Sequence, residues 1–179
     1  EMFAERINKI RCTGIVGKTS TKEMIAAVLG RKYHVLRTPG NFNNEIGLPL
    51  TIFMIDREHE AAVLEMGMNH FGEMHRLSRM ARPTHCVFTN IGVAHLEYLG
   101  SRDGILKAKM EMLDYAAPDA GIFINGDDDK LAVMKDRAVT FGLKKTNQIY
   151  ADQIENLGLD GIRCRIRTPE GDIHAAIPI

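Results

Sequence analysis

Lys18, Thr19 and Ser20 close a glycine-punctuated turn, T-G-I-V-G-K-T-S over residues 13–20, that leads directly into a helix-forming stretch at 21–29. Such a turn aims successive backbone N–H groups and a helix N-terminus at one point, which suits a phosphate. The ammonium of Lys18 would bridge terminal phosphates, and the hydroxyl of Thr19 would hold the Mg²⁺ that accompanies them. The candidate binding set is Thr13, Gly14, Ile15, Val16, Gly17, Lys18, Thr19 and Ser20. A complete G-x-x-x-x-G-K-[ST] pattern has glycine where this chain has Cys12. An ordinary strand-to-helix turn with a solvent-facing lysine would carry the same residues. Context favours the phosphate, because a short apolar strand end at 10–13 precedes the turn and helix formers follow it.

Two more candidates stand just beyond apolar runs, Glu65 after A-A-V-L at 61–64 and His95 after C-V-F-T-N-I-G-V-A at 86–94. In open α/β sheets ligands gather past the carboxyl ends of the strands, where a carboxylate and an imidazole can bind a divalent cation. Taken singly, Glu65 also reads as a solvated strand end and His95 as a structural histidine. A third group is T-P-G-N-F-N-N-E-I-G at 38–47, with Asn41, Asn43, Asn44 and Glu45. Asparagine amides donate and accept, as binding of phosphate oxygens and peptide groups together requires. A plain surface loop held by asparagine turns is the competing account.

The elements that must position these groups alternate. Strands are expected at 9–13, 33–36, 61–65, 85–89, 121–125 and 138–141, with helices at 21–29, 46–55, 72–80, 103–116 and 128–135 between them. A helix is also expected over 1–8, Pro49 is expected in the first turn of its helix, and Asp103 is expected to cap the helix it opens. This order implies an α/β fold, a mostly parallel sheet with helices on both faces. From 148 onward the pattern changes to three alternating strands at 149–154, 161–167 and 172–177, joined by tight turns. The expected organisation is a core over 1–147 and a small antiparallel sheet over 148–179.

Composition narrows the function. With 179 residues and 23 basic against 23 acidic side chains, no global charge draws the chain to nucleic acid or an acidic membrane. No apolar run is long enough to span a bilayer, and no signal peptide opens the chain. Cys12, Cys86 and Cys164 are odd in number and widely spaced, so they read as reduced thiols of a cytoplasmic protein. The ends at Glu1 and Ile179 suggest a piece of a longer protein.

Five segments in order carry a more specific signal: T-G-I-V-G-K-T-S-T-K, G-N-F-N-N-E-I-G-L-P-L-T, L-E-M-G, T-N-I-G-V-A-H-L-E-Y-L-G and A-K-M-E-M-L. With them the chain resembles the Mur ligases, ATP-dependent amide-forming enzymes of peptidoglycan precursor synthesis, from about residue 10 to its end. The resemblance is nearest to the branch that adds D-alanyl-D-alanine to UDP-N-acetylmuramoyl-tripeptide. It implies the central ATPase domain, of P-loop NTPase type, of a three-domain monomeric enzyme whose two substrate domains are absent from this chain, so that the piece alone is inactive. It also implies that Lys18 and Thr19 handle ATP and Mg²⁺, that Glu65 and His95 bind a second Mg²⁺, and that Lys109 is carried as a carbamate, with Lys18, His95 and Lys109 the catalytic set. A Lys109 without carbamate or metal is expected to pair with Glu65. Asn41, Asn43, Asn44 and Glu45 would lie beside the γ-phosphate and acceptor carboxylate. Ile15 and Val16 depart from the family's usual small or polar residues. Two rival readings stand beside this one: a nucleotide-dependent switch, and a ligase of the folylpolyglutamate or cyanophycin synthetase type.

Overall fold

The computed structural model describes residues 8–14, 16–94 and 96–178. Ile15, His95 and residues 1–7 of the expected first helix lie outside the described residues, and Asn8 belongs to a strand. The chain divides into two compact units, Glu1–Ile122 and Phe123–Ile179.

The first unit carries four parallel strands, β1 (Asn8–Thr13), β2 (Val35–Arg37), β3 (Ala61–Glu65) and β4 (His85–Phe88), in the order β2-β3-β1-β4. All five residues of β3 are buried, which explains its unbroken A-A-V-L run, since parallel strands are covered on both faces. Register fixes the functional edge: Cys12 stands opposite Glu65 on one side and Val87 on the other. The carboxyl ends of β1, β3 and β4 therefore finish level, and the segments that leave them are neighbours.

The helices of this unit are α1 (Lys18–Leu29), α2 (Gly47–Phe53), α3 (Glu73–Ala81), the short α4 (Leu96–Leu99) and α5 (Arg102–Met110). α1 packs over β1, β2 and β3. It starts three residues before the expected 21, because Gly17 takes φ 77°, a left-handed turn open to glycine, and sends the chain straight into the helix. Pro49 falls in the first turn of α2, where a missing N–H costs nothing. The expected helix at 103–116 is instead α5 followed by a 3-10 turn, Glu111–Leu113. Its cap is Ser101 and not Asp103: the extended Ser101 accepts the Gly104 N–H on Oγ at 3.1 Å. Asp103 lies in the first turn, where a carboxylate complements the helix dipole. Leu64, Met66, Met74, Leu77, Phe88, Ile91, Ile105 and Met112 form the solvent-free core of this unit.

The division falls within β5 (Gly121–Asn125), and the second unit holds its last three residues together with β6 (Val139–Gly142), β7 (Ile149–Asn156), β8 (Ile162–Thr168) and β9 (Gly171–Ile177). β5, β6 and β7 pair in parallel, and β7, β8 and β9 antiparallel. β7 opens the stretch expected to be antiparallel from 148, yet it pairs in parallel with β6 and antiparallel with β8, so the reversal falls between β7 and β8, whereas the division by compactness falls after Ile122. The helix expected at 128–135 is a 3-10 segment, Leu131–Arg137. Asp152 ties β7 to β8 through Arg165 at 2.9 Å and Arg167 at 3.1 Å. The Arg165 hydrogen bond, opposed by burial and aided by Arg167, holds the Asp152 carboxyl below the usual aspartate range. Cys86 and Cys164 are buried and form no disulfide among the described residues. Among the described residues no helix is long and apolar enough to cross a membrane.

Candidate active site

The loop between β1 and α1 is held in shape by the end of β4. A Cβ at Gly14 would stand 1.7 Å from Thr89 Oγ1 and 3.3 Å from the Asn90 nitrogen, so a glycine is needed for the two strand ends to approach this closely. Thr89 Oγ1 donates to the Val16 carbonyl at 3.0 Å. The Asn90 amide grips the same residue on both sides, Oδ1 accepting the Val16 N–H at 3.0 Å and Nδ2 donating to its carbonyl at 2.8 Å. Arg102 at the start of α5 donates to the Ile91 carbonyl at 3.0 and 2.8 Å and fixes the strand end that carries Thr89 and Asn90. The loop thus presents Gly17, Lys18, Thr19 and Ser20 at a helix start, where first-turn N–H groups have no intrahelical acceptor.

Glu65 is 2% exposed, which excludes a solvated strand end. Thr19 Oγ1 donates to its Oε2 at 2.9 Å and Asn43 Nδ2 to its Oε1 at 2.8 Å. Its own N–H donates to Thr38 Oγ1 at 2.9 Å. Among the described residues both donors to the carboxylate are neutral, so within that set the buried negative charge is hydrogen-bonded but not neutralised. A carboxylate and a hydroxyl oxygen in contact behind a phosphate-type loop are the hard oxygen donors that Mg²⁺ takes, and the residues present fit that ion.

The asparagine loop divides its work. Asn43 latches onto both sides of the β3 exit, with its amide on Glu65 and its carbonyl accepting the Gly67 N–H at 2.7 Å. Asn44 Oδ1 accepts the N–H groups of Ile46 at 3.1 Å and Gly47 at 2.9 Å and caps α2. Glu45 forms a two-pronged pair with Arg76 of α3, through Nε and through Nη2 at 3.0 Å. That hydrogen bond raises the pKa of the Arg76 guanidinium. Asn41 is exposed.

Lys109 is 2% exposed and lies under the loop, its Nζ donating to the Gly14 carbonyl at 2.8 Å and to Thr13 Oγ1 at 3.4 Å. It shares a buried helical face with Ile105 and Met112, as three-to-four residue spacing requires. The expected pairing of Lys109 with Glu65 does not occur. Thr19 and Asn43 occupy the two carboxylate oxygens, and the ammonium is engaged by Gly14 and Thr13. The structure therefore brings Thr13, Gly14, Thr19, Asn43, Glu65 and Lys109 to one loop, with His95 and Ile15 outside the described residues.

A family model for the Mur ligase middle domain matches residues 12–179. The chain belongs to this family. It is similar to the UDP-N-acetylmuramoyl-tripeptide–D-alanyl-D-alanine ligase of Bacillus subtilis (strain 168), with 51% identity over 122 residues that cover 68% of this chain and 27% of that protein. Its fold superposes on MurF from Acinetobacter baumannii with a TM-score of 0.90 and 32% identity, covering 98% of this chain and 39% of the other. MurF ligase from Thermotoga maritima, solved in complex with ADP, gives a TM-score of 0.86 at 29% identity, covering 99% of this chain and 43% of the other. The chain thus spans less than half the length of each of these proteins.

Three residues of this Mur ligase middle domain were not singled out from sequence. In sequence Asn90 is a polar residue at a strand end, inside the T-N-I-G segment but with no role assigned to it. Glu111 accepts the Gly72 N–H on both oxygens, at 3.0 and 2.9 Å, and so places a carboxylate at the N-terminus of α3. Lys22, fully buried, donates to the Thr38 carbonyl at 2.7 Å and pairs with Glu23 at 2.9 Å. Since Thr38 Oγ1 receives the Glu65 N–H, Lys22 ties α1 to the backbone under the carboxylate. Lys22→Met is expected to cost about 1–3 kcal/mol in urea denaturation, because it orphans a buried carbonyl. An unchanged midpoint would show that Thr38 finds another donor.

Proposed function

We propose that this chain is the ATP-handling domain of a cytoplasmic, monomeric, ADP-forming ligase that joins D-alanyl-D-alanine to UDP-N-acetylmuramoyl-tripeptide. The observation that carries the reading is the 2.9 Å contact between the exposed Thr19 hydroxyl and the buried Glu65 carboxylate at the start of α1. The ligase names of the relatives and the ADP bound by the Thermotoga maritima protein support it. In this reading the peptide carboxylate attacks the γ-phosphorus, the bond to the β-phosphate oxygen breaks, and ADP leaves an acyl phosphate. The dipeptide amine then attacks the acyl carbon, inorganic phosphate departs with the C–O bond pair, and the amine loses a proton.

Lys18 and the first-turn N–H groups hold the phosphates in line, and Asn90 keeps Val16 and the loop in place. Asn41 and Asn43 would line the approach to the γ-phosphate, with Asn44 and Glu45 holding the loop beside it through α2 and Arg76. Mg²⁺ supplies charge neutralisation when bound. Thr19 and Glu65 would hold one ion, and Glu65, His95 and a carbamylated Lys109 a second. A carbamate keeps one N–H on Nζ, so the bond to the Gly14 carbonyl can persist while the side chain becomes an anion. The acceptor and amine sites would lie on further domains of a longer polypeptide, consistent with the limited coverage of the relatives.

The test is phosphate release by the full-length protein with each substrate omitted in turn, together with titration of this chain with a fluorescent ADP. The expected result is release that needs both the nucleotide-peptide and the dipeptide, and weak, Mg²⁺-dependent ADP binding by the chain alone. ATP turnover indifferent to both substrates would favour a switch protein. Amide synthesis by the chain alone would overturn the division into domains.

A further inference from the structure

We propose that His34, Asp56 and His59 form a separate metal site, for a zinc-class divalent transition ion, remote from the candidate active site. His34 directly precedes β2, and Asp56 and His59 stand in the turn between α2 and β3. The cluster therefore lies at the amino ends of two paired strands, whereas the loop and Glu65 lie at the carboxyl ends. A candidate ligand atom from each residue lies within 4.8 Å of the other two. His59 Nδ1 is 2.8 Å from Asp56 Oδ1, and the two imidazole rings stack at 4.6 Å with 7° between their planes.

The backbone that carries these groups is pinned. Asp56 Oδ1 accepts the Glu58 N–H at 2.9 Å and the His59 N–H at 3.3 Å, which closes the turn. The His34 carbonyl accepts the Glu60 N–H at 2.9 Å, and the His34 N–H donates to the Glu60 carboxylate at 3.0 Å. Two separate segments are thus joined before any ion arrives, which lowers the ordering cost of binding. Two imidazole nitrogens and one carboxylate oxygen form a borderline donor set that selects zinc, nickel or copper over Mg²⁺. With bonds of about 2 Å, the ion needs the ligand atoms drawn closer than they stand. It must also lie in the plane of each ring, so the stack opens by rotation of His34, the exposed partner. The bound ion would clip the amino ends of β2 and β3 together and stabilise the folded chain by mass action.

The experiment is calorimetric titration of the chain with Zn²⁺ alone in chelator-free buffer, with thermal unfolding followed in parallel. One ion per chain and a higher Tm are expected, with affinity lowered at least about tenfold in His34→Ala and in His59→Ala and unaffected by millimolar Mg²⁺. Asp56→Asn should weaken binding as well. The proposal is overturned if the double histidine variant, shown folded by circular dichroism, binds Zn²⁺ as the parent does. It is equally overturned if binding is lost in Glu65→Gln, which would place the ion at the other site.

Discussion

Glu65→Gln is expected to slow ligation by the full-length protein about a hundredfold or more while leaving the chain as stable as the parent, or more stable, in the absence of metal. The two effects part because Glu65 is 2% exposed and, among the described residues, its carboxylate is hydrogen-bonded by the neutral Thr19 hydroxyl and Asn43 amide. Burying a charge on these terms carries a desolvation cost that an amide of the same shape does not. The glutamine oxygen can still accept from Asn43, and its NH₂ can donate to Thr19 if that hydroxyl turns to accept. No buried partner is orphaned, so the fold loses little. What disappears is the negative charge that suits a divalent cation beside the phosphates. Urea denaturation in chelator and phosphate-release kinetics in Mg²⁺ measure the two halves. A clear loss of stability with an unchanged rate would make Glu65 a structural anchor and remove it from the metal site.

Much of this site was legible because strand ends and glycine turns leave local signatures. The T-G-I-V-G-K-T-S turn, the A-A-V-L-E run and the five ordered segments pointed to one edge of a parallel sheet and to the Mur ligase family. The fold and the family match bear that out. The rest depends on contacts between segments distant in sequence. Lys22 reads as an ordinary helical lysine, and its full burial follows only once the Thr38 carbonyl is set against α1. Asn44 and Glu45 share a polar loop with Asn43, yet one caps α2 and the other pairs with Arg76. Ser101 and Asp103 are both good capping residues, and the extended backbone of Ser101 decides between them. In each case residue type gave the chemistry available, and tertiary position decided which partner used it.

Lys109 should show the largest combined effect. Lys109→Met is expected to cost about 1–3 kcal/mol of stability, because the buried Gly14 carbonyl loses its donor at 2.8 Å. Ligation should fall by about two orders of magnitude or more, since the floor of the phosphate loop and the proposed metal support are removed together. Lys109→Arg separates the two roles. A guanidinium still donates to Gly14, so part of the stability should return, but it stays a cation and forms no carbamate. In the parent the proposed carbamate would form when a neutral Lys109 amine adds to carbon dioxide, making the N–C bond and releasing a proton. Activity of the full-length protein should therefore rise with bicarbonate in the parent and not in Lys109→Arg. Native mass spectrometry should show one carbon dioxide added to the parent only. Recovery of full activity in Lys109→Arg would mean that pinning the loop is the whole role of this lysine, and the second metal site would then rest on Glu65 and His95 without it.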